Sequence, residues 1–162
     1  MPGSIFQKNG FNIGTWAADV DDGVEVDIYG GYAIELENGI SLGLSATSYQ
    51  YTGTFDSAYN ELTLSAGFGL FSLDYSKGTW DGAVTDPLAL TQDYTILILG
   101  VEYEGFSGQY GTYGDQFNGD YFDLSYSTTI SELEVGVGLL ISSKELDDDE
   151  SLYFSLSKSF DF

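Results

Sequence analysis

The chain has no cysteine, no histidine and no arginine, and its only basic side chains are Lys8, Lys77, Lys144 and Lys158. The absence of cysteine removes disulfides, thiol nucleophiles and thiolate metal sites, and is neutral about compartment. The absence of histidine removes the commonest general base and the commonest transition-metal ligand. A Ser-His-Asp relay is impossible and no Ser-Lys pairing replaces it, so no catalytic residue, cofactor or metal ligand is assigned. The four lysines face 26 carboxylates, for a formal net charge of -22, and nucleic acid is not an expected partner. No run of about 18 apolar residues exists, which excludes a transmembrane helix. A transmembrane β-barrel stays open, because its strands need only about 9 to 11 residues each. A secretory leader is also missing. Met1-Pro2-Gly3-Ser4 leads directly into strand-like Ile5-Phe6-Gln7, so an exported chain shortened at its N-terminus is expected.

What is abundant points to strands. The 162 residues suit one domain, residues 1–162, and 21 Gly, 13 Tyr and 11 Phe against 2 Pro favour strands and tight turns. The last two segments are the clearest. Leu133, Val135, Val137, Leu139 and Ile141 alternate with Glu134, Gly136, Gly138, Leu140 and Ser142, and after the acidic turn Glu145 to Glu150, Leu152, Phe154, Leu156, Phe160 and Phe162 share one parity. Similar alternation fills Phe11 to Ala18, Val24 to Leu36, Ile40 to Tyr49, Glu61 to Phe68, Phe71 to Ser76, Tyr94 to Glu104, Phe106 to Tyr113 and Tyr121 to Ile130. With the stub Ile5 to Gln7, this makes about ten full strands joined as antiparallel hairpins.

The links between them carry independent information. Those at Lys8-Gly10, Glu37-Gly39, Gly67-Gly69, Glu104-Gly105 and Ser131-Glu132 are short, while the links between are expected to be longer and more acidic. Strict alternation of short turns and long loops is the pattern of an outer-membrane barrel. Aromatic residues crowd the short-turn ends on the apolar face: Phe11, Phe68, Phe71, Tyr103, Phe106, Phe160 and Phe162 read as an interfacial girdle. Alternation alone does not say which face is inside, and a soluble up-and-down barrel or sandwich, acting as a binding module, is the competing reading. The polar face favours the membrane. It holds Ser, Gly, Thr, Tyr and carboxylates with hardly any lysine, whereas a solvated exterior mixes charges of both signs.

Two acidic runs invite a calcium reading. Asp19-Val20-Asp21-Asp22-Gly23 lacks both the EF-hand spacing and a closing glutamate. Glu145 to Glu150 is read mainly as a solvated run, with loose cation association at the outer rim as its functional alternative.

Gly10-Phe11-Asn12-Ile13-Gly14-Thr15-Trp16-Ala17-Ala18-Asp19-Val20, the following Val24 to Tyr32 segment and the ending Phe154 to Phe160 together resemble the TorF family. These are Gram-negative outer-membrane proteins named as porins, many of them of unknown function. The resemblance implies an outer-membrane barrel in contact with lipid and supplies no catalytic residues. Members carry an additional strand and a longer version of the one ending at Gln7, so closure depends on a segment absent here, because such barrels have an even strand number. The expected fold is therefore all-β, an antiparallel up-and-down transmembrane barrel of about 10 to 12 strands. Two functions follow. One is a narrow pore for small solutes or cations, its lumen lined by Glu25, Asp27, Glu35, Glu61, Asp74, Glu102, Asp123 and Glu134. The other is a plugged structural or surface-interaction barrel, with Trp16, Tyr29, Tyr49, Tyr113, Tyr121 and Tyr153 closing the bore. The sequence does not set an oligomeric state.

Overall fold

The computed structural model describes residues 4–86, 88–146 and 148–158. Among them there are eleven strands, one short 3-10 turn at Lys144–Leu146 and no α-helix. The strands are β1 (Ser4–Lys8), β2 (Phe11–Val20), β3 (Gly23–Glu35), β4 (Ile40–Tyr51), β5 (Tyr59–Phe68), β6 (Phe71–Trp80), β7 (Gln92–Tyr103), β8 (Phe106–Asp115), β9 (Asp120–Ile130), β10 (Leu133–Ser142) and β11 (Glu150–Ser157). Each pairs antiparallel with its neighbours in sequence, giving one up-and-down sheet in the order β1 to β11. The stub and the ten long strands expected from alternation are all present. β6 and β8 run on to Trp80 and Asp115, beyond where alternation ends.

Turn chemistry fixes the register at one end of the sheet. Asn9 and Gly10 have φ of 52° and 84°, and Glu104 and Gly105 have φ of 48° and 86°, the left-handed pair that matches the twist of a two-residue hairpin. Ser131 and Glu132 adopt the same geometry without glycine. At the other end the links 52–58, 81–91, 116–119 and 143–149 are longer. The β2–β3 link departs from the expected alternation. It is only Asp21-Asp22, because Val20 pairs with Gly23 and the strand resumes at once. Gly23 allows this: its φ is 128°, and a Cβ there would lie 1.8 Å from the Thr52 carbonyl oxygen.

Register carries one parity across the sheet. Gly14 sits opposite Tyr29, Tyr29 opposite Thr47, Thr47 opposite Glu61, Glu61 opposite Gly78, and Gly78 opposite Tyr94. On this face side chains reach past their neighbours: Tyr94 of β7 donates to Glu61 of β5 at 3.1 Å, and the Tyr59 and Tyr94 rings meet at 6.0 Å across the intervening β6. Ring contacts on the opposite face, such as Phe11–Tyr32 and Tyr110–Phe122, join only adjacent strands. The first face is therefore concave and the second convex. Four tyrosines on the concave face, Tyr29, Tyr94, Tyr121 and Tyr153, lie over the glycine opposite them, Gly14, Gly78, Gly111 and Gly138. A Cβ at these glycines would stand 2.1–2.5 Å from a ring carbon, so glycine makes room for the ring.

The curl stops short of a barrel. Among the described residues β1 pairs only with Phe11 to Thr15 of β2, and no strand pairs with Trp16 to Val20 on that side. Among the described residues no ladder joins β1 to β11, and the expected closure is absent from this sheet. Among the described residues no apolar core forms on either face. Tyr94, 3% exposed, is the one buried hydrophobic side chain among the described residues.

Candidate functional site: the acidic and aromatic concave face

The apolar parity lies outside. Phe11, Phe68, Phe71, Tyr103 and Phe106 occupy the convex face at the short-turn ends, where Phe71 is 67% exposed, and two of them pair with Tyr32 and Tyr126 at 4.5 and 4.6 Å. Phe160 and Phe162 lie outside the described residues. Beyond this row the convex face continues apolar, through Leu62 and Leu64 on β5, Leu99 on β7, Val137 and Leu139 on β10, and Phe154, 77% exposed, on β11. Leu62 to Phe68 spans about 20 Å at about 3.4 Å per residue. Lys77 interrupts this face three residues from the loop end of β6, opposite Leu62 and Thr95, within snorkelling reach of the polar margin. A convex depression of about 540 Å³ between Phe106, Leu124 and Leu152 has almost wholly apolar walls.

All eight carboxylates expected on the polar parity occupy the concave face, as the register requires. They do not form one cluster. Glu35, Glu102 and Glu134 stand near the short turns, opposite Ser41, Ser107 and Thr129, and Asp74 lies a little further along, opposite Ser65. Asp123 accepts from the Tyr153 hydroxyl at 2.8 and 3.0 Å. Glu25 and Glu61 are brought together at the loop side, where both line one cavity of about 370 Å³. Asp27 is opposite Trp16 and Tyr49, and its Oδ1 is buried with no hydrogen-bond partner.

That loop-side cavity is built by aromatic residues. Tyr49, Tyr51, Tyr59, Tyr94, Tyr113 and Phe117 share its wall, and Leu146 from the turn before β11 completes it. The rings hold one another: Tyr59 meets Tyr49 and Tyr51 edge-on at 6.4 and 6.1 Å and stacks on Trp80 at 6.2 Å, while Tyr94 stacks on Phe117 at 5.0 Å. Asp56 fastens the cluster from the loop side, accepting from Tyr59 at 2.7 Å and from Trp80 Nε1 at 2.8 Å. Glu61 is fixed by Thr63 and Tyr94, both at 3.1 Å. Tyr49 and Tyr113 were expected from parity; Tyr59 and Tyr94 were missed, although the same spacing from Glu61 and Glu102 would have found them. Phe117 belongs to a loop, where no periodicity marks it.

Parts of the acidic runs outside the strands have structural partners. Asp22 accepts from the hydroxyl and the backbone N–H of Thr54, which holds its carboxyl below the usual aspartate range. In the β10–β11 link, Ser142 Oγ donates to the Leu146 carbonyl at 2.7 Å and accepts from the Asp149 N–H at 3.0 Å; Asp147 lies outside the described residues. Among the described residues no group of three or more carboxylates converges as a metal site.

Residues 4–104, from β1 through β7, match the family model described as a bacterial protein of unknown function, Gcw_chp, and the chain belongs to that family. No curated protein and no solved structure matches it.

Proposed function

We propose that this Gcw_chp-family chain is an outer-membrane β-barrel protein whose concave face forms a narrow, cation-preferring conduit for small solutes. The observation that carries the reading is the opposition of its two faces. Large apolar side chains are exposed on the convex side, where water would leave roughly 25 cal/mol per Å² of apolar surface unsatisfied. In lipid that surface needs no cover, and the aromatic row at the short-turn ends lies where an interfacial girdle belongs. The concave side collects the eight expected carboxylates, and no lysine, from the strands among the described residues. Such a wall concentrates cations and repels anions, more so at low salt, where the Debye length is about 10 Å at 0.1 M against about 3 Å at 1 M. The resemblance to TorF porins supports the same reading. In the proposed barrel β1 and β11 lie along a seam, which no ladder bridges among the described residues.

A second reading has its own support. The loop-side rings crowd the concave face across β5, β6 and β7, which suits a plugged, surface-interaction barrel without transport. Reversal potentials across a planar bilayer under a KCl gradient separate the two. Cation selectivity that grows as salt falls is the expected result. Anion preference refutes the lumen assignment, and no conductance from folded protein favours the plug.

A further inference from the structure

We infer that the loop-side cavity is a binding site for a small alkylated ammonium cation. The inference rests on the concave face being open to water, as proposed above, but not on ion flow. The cavity, about 370 Å³, is within the range of small-ligand sites, and six of its wall residues are aromatic. Two of the hydroxyls that would compete for a polar ligand are already engaged. Tyr59 donates to Asp56 and Tyr94 to Glu61, so neither hydroxyl is free for a ligand. Ring surface attracts cations, and weakly hydrated methylated ammonium groups above others, because they give up little water to reach it.

Charge on the wall points the same way. Glu25 and Glu61 line the cavity, and Glu61 is already oriented by Thr63 and Tyr94. Asp27, next to Glu25 on this face and opposite Tyr49, has a buried Oδ1 that accepts no hydrogen bond, a cost that positive charge nearby offsets. An inorganic divalent ion would need several converging oxygens, which this wall of rings does not supply. An anion would be repelled.

The test uses the full chain in detergent micelles, with the fluorescence of Trp80, which stacks on Tyr59, as the reporter. Because Trp16 also emits, a Trp16→Phe background isolates the signal. Choline chloride is titrated against sodium chloride at matched ionic strength. The expected result is a saturable change with choline, at least about tenfold tighter than with sodium, weakened by about tenfold in Glu25→Gln and in Tyr113→Leu. Both variants are checked for native circular dichroism, and Glu25→Gln keeps the cavity shape if Tyr113→Leu misfolds. A response equal for the two salts, or one unchanged in a folded Glu25→Gln, overturns the inference. The outcome is independent of conductance: choline binding without cation-selective current removes the conduit and leaves the site, and selective current without choline binding does the reverse.

Discussion

The two halves of the concave face are made by the same strands and differ in almost everything else. Toward the short turns the concave face carries Ser41, Gly43, Ser45, Ser65, Gly67, Ser72 and Gly100, small side chains, with Glu35, Glu102 and Glu134 at its margin. Toward the loops the same parity carries Tyr49, Tyr59, Trp80, Tyr94 and Tyr113, interlocked ring against ring and fastened by Asp56 and Glu61. Strand pairing is continuous through both halves. Side-chain packing, and with it any constriction, is confined to one. The loop half therefore holds the sheet's curl, while the turn half is open and acidic.

The sharpest way to break this contrast is at Tyr94, the most buried ring. Tyr94→Ala removes its stack on Phe117 and its bond to Glu61, and is expected to cost about 3 kcal/mol, read as a lower urea midpoint in micelles. A smaller effect separates the halves at their glycines. In Gly78→Ala the new Cβ falls 2.3 Å from the Tyr94 ring, which is held in place, so a loss of about 1–3 kcal/mol is expected. In Gly43→Ala the nearest contact is Ser65 Cβ at 3.3 Å, and stability should change by less than about 0.5 kcal/mol. Equal losses at the two glycines would erase the distinction.

The smallest effect concerns the loops. Thr54→Val removes the hydroxyl that donates to Asp22, and the aspartate's folded-state pKa should rise toward its ordinary value. Because that pKa is depressed in the folded chain, the stability it contributes is present above the unfolded value and lost as pH falls through the folded one. The wild-type advantage over Thr54→Val should thus shrink on acidification. An advantage that grows as pH falls would show that Thr54 acts otherwise.

Much of this was legible in the sequence because a pleated strand has period two. Once Glu61 and Leu62 are assigned to opposite faces, antiparallel pairing carries the assignment from β2 to β11, and every expected lumen carboxylate followed it. The Asn-Gly and Glu-Gly turns fixed that register locally. Two features escaped for physical reasons. The β2–β3 link looked like a loop because it is acidic, yet Gly23 closes it in two residues by accepting a φ that other residues avoid. The loop-side cavity depends on Phe117 and Leu146, which lie outside the strands and reach the site only through the curl of the sheet. Alternation is also silent on which face is concave, since the same pattern would serve a soluble barrel turned inside out.

That choice of face is the central claim, and the absence of native cysteine makes it directly measurable. Leu64 and Ser65 are neighbours on β5, on the convex and concave faces respectively. Single variants Leu64→Cys and Ser65→Cys, reconstituted in lipid vesicles, are treated with a small water-soluble thiol reagent from both sides of the membrane. Ser65→Cys is expected to react and Leu64→Cys to stay protected until detergent strips the lipid. Rapid labelling of Leu64→Cys with Ser65→Cys protected would contradict it, and would put the apolar face inside.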